Sequence, residues 1–411
     1  MINGKIWDTA FWRVFFTLKV PPKGCLLNIQ LTMRIYFSVL LLLIVVWSCS
    51  DGKSESLDKS GLDIDEFRSY KIDMDMSQTK LADLIDTLGV MRLEETPESL
   101  LGYASRLQEY SDGFVMASEK VGIIFFNKEG DFMHGFNHKG SGPDEYADIY
   151  DFWIEGDTIA IFSKASQHIK RYDFNGNFIS SVRVPYYAHH VYPIKNGFVY
   201  DLNYGVIEDS LKYRVVVVNS EYKLGKALLP FNAFPKMYYF SNSPSLKPYG
   251  NGATYLGVMS DSLYLVQNNQ VRPLAHFDFG EKWYWTEEAK MNPKMYMPSK
   301  GEKVDNINSY IGEEHIWLTA TYIMTDTQPF LINRLTGAVV SIDLQNQGDG
   351  RYTISPIKWE GNSFFGSIQS NDLITLISEL DQSRIKFRRG TTLEEIESSE
   401  NPVLMWVKFK E

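Results

Sequence analysis

The residues best placed by type and spacing to do chemistry lie in one loop, Gly140-Ser-Gly-Pro-Asp-Glu-Tyr146, preceded by His138 and Lys139. Two glycines and Pro143 fix its backbone, and the side chains of His138, Lys139, Asp144, Glu145 and Tyr146 crowd polar groups around it. A rigid polar loop between strands is where all-β folds place ligand contacts. Lys139 and Tyr146 would donate hydrogen bonds there, and Glu145 would accept one. The same residues suit an architectural role, with Gly and Pro shaping a crossover and Glu145 and Tyr146 tying neighbouring units together. A phosphate cradle is excluded, because the Lys-Ser/Thr ending and the following helix are missing.

A second candidate is His189 in Tyr186-Tyr-Ala-His-His-Val-Tyr192. Successive strand residues face opposite sides, so His189 and His190 cannot chelate one metal together. One can face the channel axis; the plainer reading is a histidine hydrogen-bonded within its blade. His134, His168, His276 and His315 have no ligand spacing, and no nucleophile elbow, His-Glu-x-x-His or calcium-loop signature occurs. No metal or cofactor is expected. Carboxylate pairs such as Asp73/Asp75, Glu94/Glu95, Glu287/Glu288 and Glu313/Glu314 read as solvated charge. Aromatic groups stand at Tyr186/Tyr187, Tyr238/Tyr239/Phe240 and Trp283/Tyr284/Trp285. Their rings can stack on a sugar face or fill a protein interface. Trp283 and Trp285 are the favoured pair, since they fall in an apparent insertion.

The elements that must position these residues repeat along the chain. Six segments begin with a Gly, Asn, Asp or Glu and continue as a β-rich run: Asp112–Ala117, Gly156–Phe162, Asn196–Tyr200, Asn251–Leu256, Glu314–Leu318 and Asn362–Gly366. Each is followed by a second run: Ile123–Gly130, Ile169–Gly176, Tyr213–Asn219, Leu263–Asn269, Phe330–Gly337 and Val403–Phe409. Aligned on Phe126, Tyr172, Val218, Val266, Ile332 and Trp406, the second runs recur at steps of 46, 46, 48, 66 and 74 residues. The first three steps fit a four-stranded propeller blade. The two long steps carry apparent insertions, Glu281–Lys300 and Asn371–Glu400, with short helical patterns. An all-β, six-bladed β-propeller with short helical insertions in the later blades accounts for the repeat. A doubly wound fold would need helices between the strands. Closure is expected from Tyr70–Met76 or Met91–Glu95 pairing with the last blade.

Leu81–Asp86, Leu93–Gly102, the Gly140–Tyr146 loop with Ile149–Phe152, and Asn401–Leu404 together resemble the six-bladed β-propeller lipoproteins of Bacteroidetes-type bacteria. The resemblance runs from about Leu81 to Glu411. It implies a propeller exported to the cell envelope and assigns no activity.

The amino-terminal region agrees. Ile35–Trp47 is an apolar run of thirteen residues, short of the roughly 20 a spanning helix needs. Met33-Arg34 before it and Ser48-Cys49 after it resemble a bacterial lipoprotein signal, with Cys49 the lipidated residue. An uncleaved membrane anchor is the competing reading. The expected organisation is an extension over 1–32, a signal peptide over 33–48, a tether over 49–66 and the propeller over 67–411. A net charge of −10 argues against a nucleic-acid partner, and two cysteines exclude a disulfide framework or a Cys-rich zinc module. The sequence thus points to a lipid-anchored module on the outer membrane, periplasmic or surface-facing. It would bind a glycan, peptide or envelope protein without catalysis. The alternative is a lactonase-like hydrolase or lyase that uses a metal or carboxylates at the channel mouth.

Overall fold

The computed structural model describes residues 65–410, apart from 119, 208–210, 240, 242 and 349. The expectations for residues 1–48, for Cys49 and its tether up to residue 64, and for Phe240 lie outside these residues. Six antiparallel sheets form the blades of a ring. The six repeated pairs of runs are the second and third strands of the six blades, one pair in each. In blade 1, Leu107–Tyr110 is the inner strand, followed outward by Gly113–Ser118, Gly122–Asn127 and Phe132–Phe136. The inner strands of blades 2 to 6 are Asp151–Glu155, His190–Ile194, Leu246–Tyr249, Val304–Ile311 and Ile354–Glu360.

The middle strands read as continuous apolar runs because both of their faces are covered. Phe125 packs into the cluster with Tyr172 of blade 2, whereas its neighbour Phe126 packs with Phe365 of blade 6. The other joints repeat the device. Phe162 meets Tyr200 between blades 2 and 3, and Val217 meets Tyr255 between blades 3 and 4. Phe277 meets Phe330 between blades 4 and 5, and Trp317 stacks on Phe364 at 4.6 Å between blades 5 and 6. Fully burying each such side chain is worth roughly 1.5–3 kcal/mol.

The ring closes differently from expectation. Ile85–Met91 pairs antiparallel with Val403–Phe409 and supplies the fourth strand of blade 6. Of the expected closing residues only Met91, opposite Leu404, takes part. Tyr70 belongs instead to Arg68–Lys71, which adds parallel to the outer edge of blade 4, and Gln78–Lys80 does the same for blade 5. The amino-terminal segment therefore straps three successive blades and covers edges that would otherwise invite pairing with another chain. Asp65 begins the strap. Its carboxylate accepts from Tyr249 Oη at 2.5 Å and lies 3.4 Å from the Arg334 guanidinium.

Both insertions contain the expected short helices. Glu287–Met291 lies between the outer strand of blade 4 and the inner strand of blade 5. Ser370–Glu379 and Leu393–Glu397 lie between the second and third strands of blade 6. No helix among the described residues is long and apolar enough to cross a membrane.

Candidate functional site

The inner strand of blade 3 begins at His190 with His189 just before it, and the two side chains diverge. The His190 Nδ1 lies 3.0 Å from one Asp151 oxygen while the Val191 N–H donates to the other at 2.8 Å. That carboxylate starts the inner strand of blade 2, so His190 staples two blades. His189 lines a cleft on the entry face, where each inner strand starts. Its Nε2 stands 3.3 Å from the Tyr238 hydroxyl, and its ring meets Tyr187 edge-on at 5.5 Å. Burial, aided by Lys164 and His190, pulls its pKa down to about 4. Such an imidazole is neutral near pH 7 and offers one donor and one acceptor.

Around His189 the chain builds a cleft of about 380 Å³, lined by Tyr187, Asn203, Tyr204, Phe234, Tyr238 and Met259 among others. Tyr187 is 60% exposed and Tyr238 67%, so both keep much of their ring surface in solvent. Phe234 completes the aromatic rim. A narrower polar recess adjoins the cleft and shares His189 and Asn203, with Ser243, Asn306 and Asn308 further in.

The floor is braced from below. Asp201, the last residue of the second strand of blade 3, accepts from Ser245 Oγ at 2.7 Å, Tyr255 Oη at 3.2 Å and the Asn203 N–H at 2.8 Å. Arg214 lies between the rings of Tyr204 and Tyr255, and it donates to the Val258 carbonyl at 2.8 Å. These contacts fix the two turns that edge the cleft, 202–205 and 256–260. Asp201 is fully engaged by these donors, whereas the buried Arg214 Nε has no hydrogen-bond partner among the described residues.

The tryptophan insertion folds onto itself. Trp285 is only 3% exposed and donates its indole N–H to the Asp305 carbonyl at 2.6 Å. Tyr284, Tyr296, Met259 and Ile323 surround it. The Asp305 carboxylate accepts from the hydroxyls of Tyr239 and Tyr296. Desolvation raises its pKa above the ordinary carboxylate value despite these donors. Trp285 therefore offers no ring face to a ligand. Trp283, half-buried and stacked on Phe279 at 5.7 Å, reaches only the edge of the polar recess.

The Gly140–Tyr146 loop sits apart, in the groove between blades 1 and 2. Tyr172 Oη donates to the Asp144 carbonyl at 2.7 Å, and the Lys170 ammonium donates to the Pro143 carbonyl at 2.6 Å. Tyr146 is buried and hydrogen-bonded to Asn137 Oδ1 at 3.0 Å, and it packs edge-on against Tyr172. Glu145 Oε2 accepts from the Gly142 N–H at 2.7 Å and occupies the space a Cβ at residue 140 would need. His138 stacks on Tyr172 and its Nε2 lies 2.8 Å from the Gly176 carbonyl. Lys139 is exposed at the rim. Of the loop, histidine and tryptophan candidates, His189 and Trp283 line the cleft or its recess, and of the other aromatic groups named from the sequence, Tyr187, Tyr238 and Tyr239 line the cleft.

Asn203, Phe234 and Ser243 escaped the sequence reading. The turn cluster Asn203-Tyr204-Gly205 after a strand was the available signal for the first of them. Nothing in the sequence brings Phe234 beside it. Among the described residues no three His, Cys, Asp or Glu side chains converge as a metal site would require.

Residues 69–408 match the family described as Domain of unknown function (DUF4934). No curated protein matches the chain. A crystal structure of a Bacteroides fragilis protein, described as a candidate exported protein, superposes with a TM-score of 0.67 at 15% identity. The match covers 84% of this chain and 100% of that one. A Bacteroides vulgatus member of the DUF4221 family gives a TM-score of 0.45 at 11% identity, over 80% of this chain and 99% of that one. The superposition on the Bacteroides fragilis protein agrees with the fold, and the match over residues 69–408 makes the chain a member of the DUF4934 family.

Proposed function

We propose that this chain is an exported, lipid-anchored propeller that binds carbohydrate, without catalysis, in the entry-face cleft of blades 3 and 4. One observation carries the reading: two exposed tyrosine rings, Tyr187 and Tyr238, flank a buried neutral imidazole beside the amide of Asn203. A sugar presents apolar C–H faces and ring hydroxyls together, and such a cleft answers both. The rings supply stacking surface. His189 and Asn203 supply directional hydrogen bonds, and the braces at Asp201 and Arg214 hold them in place before any ligand arrives. Export and anchoring rest on the Met33–Cys49 leader.

The test is calorimetric titration with neutral malto-, xylo-, manno- and cello-oligosaccharides. At least one series should bind, and Tyr187→Ala or Tyr238→Ala should weaken it about tenfold or more, equivalent to ~1.4 kcal/mol. Both positions are exposed, so thermal stability should stay within about 0.5 kcal/mol of wild type. Failure of every series to bind, or binding indifferent to both substitutions, would sink the reading.

A further inference from the structure

The polar recess beside the tyrosine cleft is lined by a carboxylate of which the fold uses only one oxygen. Asp305 is the bulged residue of the inner strand of blade 5: Val304 faces Tyr322 and Asn306 faces Thr321, which leaves Asp305 outside the ladder. A bulge re-aims its side chain, and bulges are frequent beside functional sites. The Tyr239 hydroxyl donates to Asp305 Oδ2 at 3.0 Å, and the Tyr296 hydroxyl donates to the same oxygen. Oδ1 has no donor among the described residues and is not sealed inside the protein. Asp305 is 3% exposed, and the surface it keeps opens on the recess.

Both donors are neutral phenols, and among the described residues no ion pair reaches this carboxylate. A buried carboxylate normally meets a cation, because an unpaired buried charge is costly. Lys247 does not supply one: its ammonium is taken up by the Pro244 carbonyl at 3.0 Å and Asn308 Oδ1 at 2.6 Å, and it lies over the Tyr310 ring. His190 is committed to Asp151, and His189 is neutral near pH 7. The size of the recess narrows what can meet Oδ1. Its free volume is about 20 Å³, room for one water-sized group and too little for a sugar ring or an N-acetyl group. A primary ammonium has that size and carries three donors. A hydroxyl would also fit, but it would leave the carboxylate charge unmatched. His189 and Asn203 line both recess and cleft, so a group in the recess can belong to a ring stacked in the cleft.

We propose that the recess takes the protonated primary amine of an amino sugar, paired with Asp305 Oδ1, while the sugar ring lies in the tyrosine cleft. The assignment rests on the carbohydrate reading and names the sugar class that the cleft favours. In keeping with it, desolvation holds the Asp305 pKa above its ordinary value, and an arriving ammonium would draw it back down.

The β-1,4-linked tetramers of glucosamine, N-acetylglucosamine and glucose share one backbone and differ only at C2, which makes them the probes. In calorimetry on the whole protein at mildly acidic pH, the glucosamine tetramer should bind about tenfold or more tighter than the other two. Asp305→Asn keeps an oxygen for the two tyrosines, removes the charge, and should abolish that advantage. A second readout needs no variant: the advantage should fade as pH rises until the ligand amine is neutral, while the affinities of the uncharged tetramers hold steady. Nα-acetyl-lysine amide carries the same ammonium without a sugar ring and should not displace the glucosamine tetramer at equal concentration. Its displacement of the tetramer would overturn the proposal in favour of a peptide amine. Binding of any neutral sugar series with no gain from the amine, or a gain indifferent to Asp305→Asn and to pH, would overturn this inference and leave the carbohydrate reading standing. Failure of neutral and amino sugars alike would sink both.

Discussion

His189 is the residue on which the cleft turns, and its environment gives it a titration signature. Its imidazole has an ordinary value of 6.5 and is held down to about 4, first by burial and then by Lys164 and His190. Between these values the unfolded chain binds a proton that the folded protein refuses. Stability contributed by this group is therefore complete above about pH 6.5 and is lost as pH falls toward 4, by roughly 3 kcal/mol in all. Urea unfolding of wild type and His189→Gln from pH 4 to 7 checks this: the variant should lose less stability on acidification. Parallel profiles would show that His189 is protonated as easily in the fold as outside it. The pairing of His189 and His190 and their opposite directions were legible in the sequence, since alternation along a strand is a local rule. Asn203 and Phe234 were not, because their approach to His189 depends on how blades 3 and 4 meet.

At the scale of elements, most of the sequence signal came from the middle strands. A glycine or asparagine turn before a run such as Ile123-Ile-Phe-Phe126 marks a strand buried on both sides, and six such pairs became six blades. The strap was harder to read. Gln78–Lys80 is three residues long and largely polar, which leaves no hydrophobic pattern to find. The closing strand Ile85–Met91 carries a better pattern, with Leu88 fully buried against blades 5 and 6. Leu88→Ala should cost about 2–5 kcal/mol, measured by denaturant unfolding, since it opens a cavity where the ring is sealed. A loss below 1 kcal/mol would show that closure does not depend on this strand. The tryptophan insertion was misjudged for a similar reason. Spacing cannot reveal that Tyr284 and Trp285 close a small core with Met259 and Ile323, which come from the two blades that the insertion joins. The Gly140–Tyr146 loop divides its effects the other way. Tyr172→Phe removes the bond to the Asp144 carbonyl and should lower stability by roughly 1–3 kcal/mol while oligosaccharide affinity stays unchanged. Loss of affinity with stability intact would move ligand contact back to this loop.

At the scale of the whole molecule, the start of the strap and the tyrosine cleft lie on opposite faces of the ring. The described chain enters at Asp65 on the hairpin face, beside Tyr249 and Arg334, whereas the tyrosine cleft opens on the entry face. Cys49→Ala should release the protein from the membrane fraction, and retention of that variant would favour an uncleaved apolar anchor instead. The central claim is that ligand meets the protein at the cleft of blades 3 and 4. Hydroxyl-radical footprinting with a saturating oligosaccharide tests it most directly, because it reads every exposed ring in one experiment. Protection should concentrate at Tyr187, Phe234 and Tyr238. Protection at Gly140–Tyr146 with those three rings unchanged would contradict the claim.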